Sequence, residues 1–186
     1  MSDLRGRKPI IPVTSSWFAK LDETKFCRIG ISRGTPRGQP GGYRMYRNLA
    51  PGPWFLSCKT PREYMIRYQD EILGILKPER VLEDLQRLAG DRIPALLCFE
   101  PPTPGPKWCH RGLVSAWLMD QLGIEVFEVG QEREGAGWEH PKLHPDLRKL
   151  SPEREAILFA AGEQKKKAKS KKKSTTRKTS AQGILL

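Results

Sequence analysis

An α/β fold with a mainly parallel sheet, followed by a disordered basic C-terminal tail, is what this sequence predicts. Three observations carry that expectation. Apolar segments of strand length, "KFCRIGIS" at residues 25–32, "IPALLCFE" at 93–100 and "IEVFEVG" at 124–130, are separated by segments with helical spacing. The order strand, helices, strand, helix, strand implies parallel pairing through helical crossovers. The middle segment is apolar almost throughout, as a strand buried on both faces of a parallel sheet requires. Finally, residues 165–178, "KKKAKSKKKSTTRK", hold nine basic groups and no acid, and such a stretch cannot bury a core.

Taken in order, residues 1–13 are basic, contain prolines, and read as an N-terminal arm. In "TSSWFAKLDE", Thr14, Ser15 and Ser16 are candidate N-caps, and Trp17, Phe18 and Leu21 share one face of an expected short helix. "KFCRIGIS" sets Phe26, Arg28 and Gly30 against Cys27, Ile29 and Ile31, the two-residue period of a strand. Residues 33–54 hold five glycines and four prolines, which excludes a regular element. A loop of that length in a compact domain is either functional or disordered. This one interleaves Arg33, Arg37, Arg44 and Arg47 with Tyr43 and Tyr46. Two readings of "RMYR" stand level: phosphate contact with base stacking, or a surface loop pinned by its tyrosines.

"TPREYMIRYQDEILGIL" is the clearest helix. Thr60 caps it, Pro61 takes the first position, and Tyr64, Tyr68, Ile72 and Ile75 recur at helical spacing. Tyr64, Tyr68 and Ile72 read as core. Pro78 closes that helix and opens "PERVLEDLQRLAG", with Val81, Leu82, Leu85 and Leu88 on its apolar face and Gly90 as the stop. "RGLVSAWLMDQLG" is the helix before the last strand. The α/β domain thus spans 14–130. Residues 131–164 read as a C-terminal extension, with His140 and His144 in a solvated turn and "PEREAILFAAGEQ" as a short helix; 165–186 are the tail.

Charge is unevenly placed. The chain has 33 Lys+Arg against 21 Asp+Glu, a net +12. Without the nine basic residues of the tail, 24 remain against 21, so the body carries only +3. The four cysteines show no disulfide-framework spacing. The opening lacks the apolar stretch of a signal peptide, and no run approaches the ~20 apolar residues of a membrane span. Reduced thiols, a cytoplasmic location and no membrane association are expected.

Certain motifs point further. An early strand runs into the arginine loop "ISRGTPRG" (31–38), the helix carries "YMIRYQDEI" (64–72), and "LLCFE" is followed by "CHRGLVSAWL". In these features, over roughly residues 14–130, the chain resembles a widespread bacterial family known as domain of unknown function number 488. "TSSWFAKL" and "NLAP" at 48–51 are similar to one branch of it. Arg33 matches the family's strand-end arginine, and Cys98, Glu100, Cys109, His110 and Arg111 match its closing signature. The resemblance implies a small Rossmann-like three-layer sandwich. It implies no agreed reaction.

In open parallel sheets, ligands bind beyond the carboxyl ends of the strands. Arg33 follows one strand, Glu100 ends another, and Cys109-His110-Arg111 opens the next helix. A helix N-terminus attracts anions and lowers a thiol's pKa. The expectation is an anion held by Arg33, Arg37, His110 and Arg111, with Cys109 or Glu100 as nucleophile or general base. In the bland reading, Cys98 and Cys109 are buried small residues and Arg111 pairs with Glu100 to fix the loop. Since successive helical residues are rotated by about 100°, an Arg111 on the ligand puts His110 to the side.

Rival chemistries fail on spacing. A tyrosine-phosphatase loop needs Arg six residues after the cysteine, and that position is Ser115. A zinc deaminase needs His-x-Glu with Pro-Cys-x-x-Cys, and neither occurs. Zinc on Cys98, Cys109, His110 and Cys27 lacks a Cys-x-x-Cys anchor, so no metal is expected. The glycines fit neither GxGxxG nor a Walker loop, and no cofactor is expected. Two functions stay open. One is an enzyme or binding domain for a phosphate-bearing ligand, such as a nucleotide or nucleic acid. The other is a non-catalytic nucleic-acid-binding or interaction module. Under both, Lys165, Lys166, Lys167, Lys169, Lys171, Lys172, Lys173, Arg177 and Lys178 supply sequence-independent affinity for DNA or RNA.

Overall fold

A computed structural model of the protein describes residues 10–101 and 107–148. Strands β1 (Val13–Ser16), β2 (Phe26–Gly30), β3 (Arg44–Met45) and β4 (Ile93–Cys98) form one sheet in the order β1-β4-β2-β3, and every pair is parallel. The fold is α/β. Strand β4 lies inside the sheet, pairing Ala95–Cys98 with β1 and Ile93–Leu97 with β2. Ala95, Leu96 and Leu97 are fully buried, as the near-continuous apolar run demands.

The first element departs from expectation. Residues 13–16 are a strand, not the start of a helix, and Trp17 is buried while Phe18 is 60% exposed. The ladder along β4 outweighs the local capping preference of Thr and Ser; two of the three buried hydroxyls find nearby partners, while Ser15 Oγ is buried without one. Thr14 Oγ1 donates to the Phe127 carbonyl (3.2 Å), and Ser16 Oγ accepts from Phe18 N–H (3.2 Å). "IEVFEVG" is shorter as a strand than its pattern suggests. It meets β1 in a single parallel bridge, Thr14 to Glu128, with Thr14 N–H donating to Phe127 and Val129 N–H to Thr14 (both 2.9 Å).

The long loop also contains regular structure. Strand β3 sits within it, and 3-10 turns cover Arg47–Leu49 and Pro53–Leu56. Its tyrosines pin it to the body: Tyr43 meets Trp17 edge-on at 5.2 Å, and Tyr46 Oη donates to Asp84 (3.2 Å). Arg44 and Arg47 stay exposed.

Helix α1 (Pro61–Glu71) starts where Thr60 Oγ1 accepts from Glu63 N–H, and α2 (Pro78–Ala89) buries Val81, Leu85 and Ala89 before Gly90 ends it. The Cys27 thiol, on the sheet face turned to α2, donates to the Leu88 carbonyl (3.6 Å). The opposite face carries Ala95 and Leu97, covered by Trp17 with Val13, Leu21, Phe26, Tyr43 and Met45. Helix α3 (His110–Leu122) is buried all round from His110 to Leu118, since residues 131–148 lie over its outer side. There Gly137 N–H donates to Ser115 Oγ (2.8 Å), and Leu143 and Leu147, the latter in α4 (Pro145–Arg148), are buried. The segment read as an extension is thus packed from Gln131 through Arg148. "PEREAILFAAGEQ" and the lysine tail lie outside the described residues. Among the described residues no helix is long and apolar enough to cross a membrane.

Candidate functional site: a thiol–imidazole centre in a cavity beyond the sheet

Strands β2 and β4 are neighbours, so the chain leaves both at the same edge. Ser32, Arg33 and Gly34 follow β2; Cys98, Phe99 and Glu100 close β4; Trp108, Cys109 and His110 lead into α3. With residues from the 51–64 region they enclose a cavity of about 710 Å³, a size that suits a small organic ligand. Phe55, Tyr64, Phe99 and Trp108 make its walls largely aromatic, and Trp108 meets Tyr64 edge-on at 4.9 Å. Arg33 and Lys59 add positive charge, both exposed at the rim. Arg33 also donates to the Pro51 carbonyl (3.3 Å) and lies over Phe55.

The chemistry concentrates in three side chains. His110 Nε2 lies 3.0 Å from the Ile31 carbonyl. A carbonyl only accepts, so that nitrogen carries the proton and Nδ1 is left free to face other groups. Nδ1 lies 3.7 Å from Cys98 Sγ and 3.7 Å from Cys109 Sγ. Tyr68, fully buried, tilts its ring against the imidazole at 5.4 Å and gives its hydroxyl hydrogen to the Leu49 carbonyl (2.6 Å), so it does not reach the rim.

Burial by itself raises the Cys109 thiol pKa. The Cys98 thiol, His110 and Arg111 outweigh it and hold Cys109 well below the ordinary thiol range. Cys98 goes the other way: its hydrogen bond to Cys109, with burial, holds it protonated well above that range. Burial would lower His110, yet the neighbouring Cys109 raises it. These opposed shifts favour negative charge on Cys109 and positive charge on His110, with the Cys98 thiol donating to the Cys109 sulfur. Glu100, lifted by burial and by Cys109, is the nearby carboxyl.

Arg111 is placed otherwise than its sequence position suggests. It is fully buried, does not line the cavity, and grips Glu128 with Nε and Nη2 at 2.9 Å each. Nη2 also reaches the carbonyls of Glu100 (3.1 Å) and Pro101 (3.4 Å), and Nη1 stands 3.9 Å from Glu100 Oε2. The helical rotation does part the two side chains, but with the roles exchanged: His110 turns to the cavity and Arg111 turns inward. The arginine ties β4's exit to the bridge beside β1. Arg37 is exposed and takes no part in lining the cavity.

Glu128 and His140 were not legible as a pair in the sequence. Both are fully buried. His140 Nδ1 accepts from Lys142 N–H (3.1 Å), so Nε2 carries the hydrogen given to Thr14 Oγ1 (2.7 Å), and Nε2 lies 3.8 Å from Glu128. Burial, reinforced by Arg111, pushes its pKa down to about 3, so it is a neutral core histidine and not a residue of a solvated turn. Only the alternation of "IEVFEVG", with Val126 and Glu128 on one side, hinted that this glutamate points inward.

The structure brings Arg33, Cys98, Glu100, Cys109 and His110 to one cavity and leaves Arg37 and Arg111 outside it. No family model, curated protein or solved structure matches the chain.

Proposed function

We propose that the cavity binds a phosphate-bearing ligand, a nucleotide or an exposed nucleotide of a nucleic acid, and that Cys109 is its nucleophile. On this reading the chain is a member of the family it resembles, working in a reducing, cytoplasmic setting. One observation carries the proposal: a single imidazole nitrogen faces two cavity-lining thiols, while its other nitrogen is locked on the Ile31 carbonyl. A thiolate beside an imidazolium is the activated form of a cysteine nucleophile. The aromatic walls suit a planar base, and Arg33 and Lys59 suit its phosphate. In the reaction, Cys109 Sγ bonds to the electrophilic atom of the ligand and His110 gives its Nδ1 proton to the leaving group. Water, deprotonated by Glu100, then releases the product. The nine basic residues of the tail add sequence-independent affinity for nucleic acid.

Alkylation by iodoacetamide tests the site. Cys109 should react at a pH well below that of an ordinary thiol, Cys109→Ser should abolish the fast phase, and a nucleoside monophosphate should protect. Arg33→Ala should weaken that protection about tenfold, as the loss of one charge-assisted contact predicts. An ordinary thiol profile with no protection would sink the reading.

A further inference from the structure

His110 Nδ1 offers a single hydrogen-bonding position, a lone pair in the neutral ring or an N–H in the charged one, yet two sulfurs stand at the same 3.7 Å from it. All three donor atoms lie within 4.8 Å of one another. Hydrogen bonding lets only one sulfur at a time use this nitrogen, whereas one ion at the centre would engage all three atoms. Tetrahedral zinc, with bonds of about 2.3 Å to sulfur and about 2.0 Å to nitrogen, spaces sulfur and nitrogen about 3.6 Å apart. The two observed sulfur–nitrogen distances match that spacing.

We propose that Cys98, Cys109 and His110 Nδ1 form a binding site for a thiophilic divalent ion of the zinc class, with a water in the fourth position. The surroundings fit in three ways. The Ile31 carbonyl holds the Nε2 hydrogen, the outer-shell contact that fixes a metal-binding tautomer. Two thiolates cancel the ion's charge, so no net charge is buried. All three residues line the cavity, from which a fourth ligand would come. There Glu100 offers a buried Oε2 with no hydrogen-bond partner, suited to accept from a metal-bound water. The ligands come from a strand end and a helix start, which is why no Cys-x-x-Cys spacing announces them.

The metal site rests on the proposed function for its substrate, though not for the metal, and in the metal-loaded protein it replaces the Cys109 thiolate route. When the ion is bound, Cys109 commits its lone pair to the metal and ceases to be the nucleophile. A bound ion would supply a water of lowered pKa for attack on the electrophilic centre, and Glu100 would take that water's proton and pass it to the leaving group. Arg33 keeps its place at the rim.

The test uses the full, reduced, chelator-stripped chain titrated with Co2+ and then with Zn2+. One Co2+ per chain should bind, with a thiolate-to-cobalt charge-transfer band and the intense visible bands of tetrahedral coordination, and Zn2+ should displace it. Cys98→Ser, Cys109→Ser and His110→Ala should each weaken binding about 100-fold or more, while Cys27→Ser and Cys58→Ser leave it unchanged. Absence of the charge-transfer band in the unaltered chain overturns the proposal, as does binding that survives both Cys98→Ser and Cys109→Ser. The first of these outcomes needs no variant to fold, since the band is read on the unaltered protein. Loss of nucleotide protection in the metal-free protein, with the cobalt band intact, would instead reject the ligand reading and leave the metal site standing.

Discussion

Removing Arg111 should unfold this protein more readily without emptying its cavity. The guanidinium makes two hydrogen bonds of 2.9 Å to Glu128, and both side chains are fully buried. Hydrogen bonds to charged groups are worth about 1.5–3 kcal/mol each, and truncating one partner of a buried pair typically costs about 3–5 kcal/mol, because the other charge stays behind unpaired. For Arg111→Ala we expect about 4 kcal/mol, the cost of leaving the buried Glu128 carboxylate without its two guanidinium hydrogen bonds. In a domain of this size that lowers the melting temperature by about 10–15 °C. Arg111→Lys keeps the charge but loses the fork, and about half of the effect should remain. Glu128→Ala should match Arg111→Ala. The double replacement Arg111→Met with Glu128→Leu should recover most of the loss, as no charge is then buried. The assay is thermal and urea unfolding alongside nucleoside monophosphate binding to the folded fraction. If Arg111→Ala melts within about 3 °C of the parent while binding falls tenfold, the arginine serves the ligand and the buried pair does not hold the fold.

Other expectations follow from the same contacts. His140 has its pKa depressed to about 3, below the ordinary imidazole value, so between about pH 6.5 and 3 the unfolded chain binds a proton that the folded chain refuses. Stability therefore rises with pH through that window, by up to roughly 5 kcal/mol across it. His140→Gln should flatten urea midpoints compared at pH 7 and pH 4.5 relative to the parent, and parallel curves would count against the neutral core histidine. Gly112→Ala sets a Cβ 2.6 Å from Leu143 N and 2.7 Å from Lys142 C; both are backbone atoms, so about 3 kcal/mol of stability should be lost. A melting temperature equal to the parent's would mean that residues 131–148 do not clasp α3. Truncation after Gln164 should leave the melting curve unchanged and reduce the slope of DNA affinity against salt, since fewer counterions are released. An unaltered slope would separate the tail from nucleic acid.

Periodicity and chemistry along the chain determined the α/β class, the buried central strand, helices α1, α2 and α3, and the meeting of Arg33, Glu100 and Cys109 beyond the strands. These are legible because hydrophobic period and capping are local, and because parallel strands with helical crossovers put successive strand ends on one edge. Tertiary contacts decided the rest. Whether "VTSS" caps a helix or extends a sheet depended on a free edge beside β4, which no local preference encodes. Which of His110 and Arg111 faces the cavity depended on a carboxylate seventeen residues away: Glu128 draws the guanidinium inward, and the helical rotation then turns the imidazole outward. Cys98 reads as plain core from its strand, yet its sulfur ends 3.7 Å from the same nitrogen as that of Cys109. A buried charge must find its partner wherever the fold supplies one. That search, carried out in three dimensions, arranged this centre.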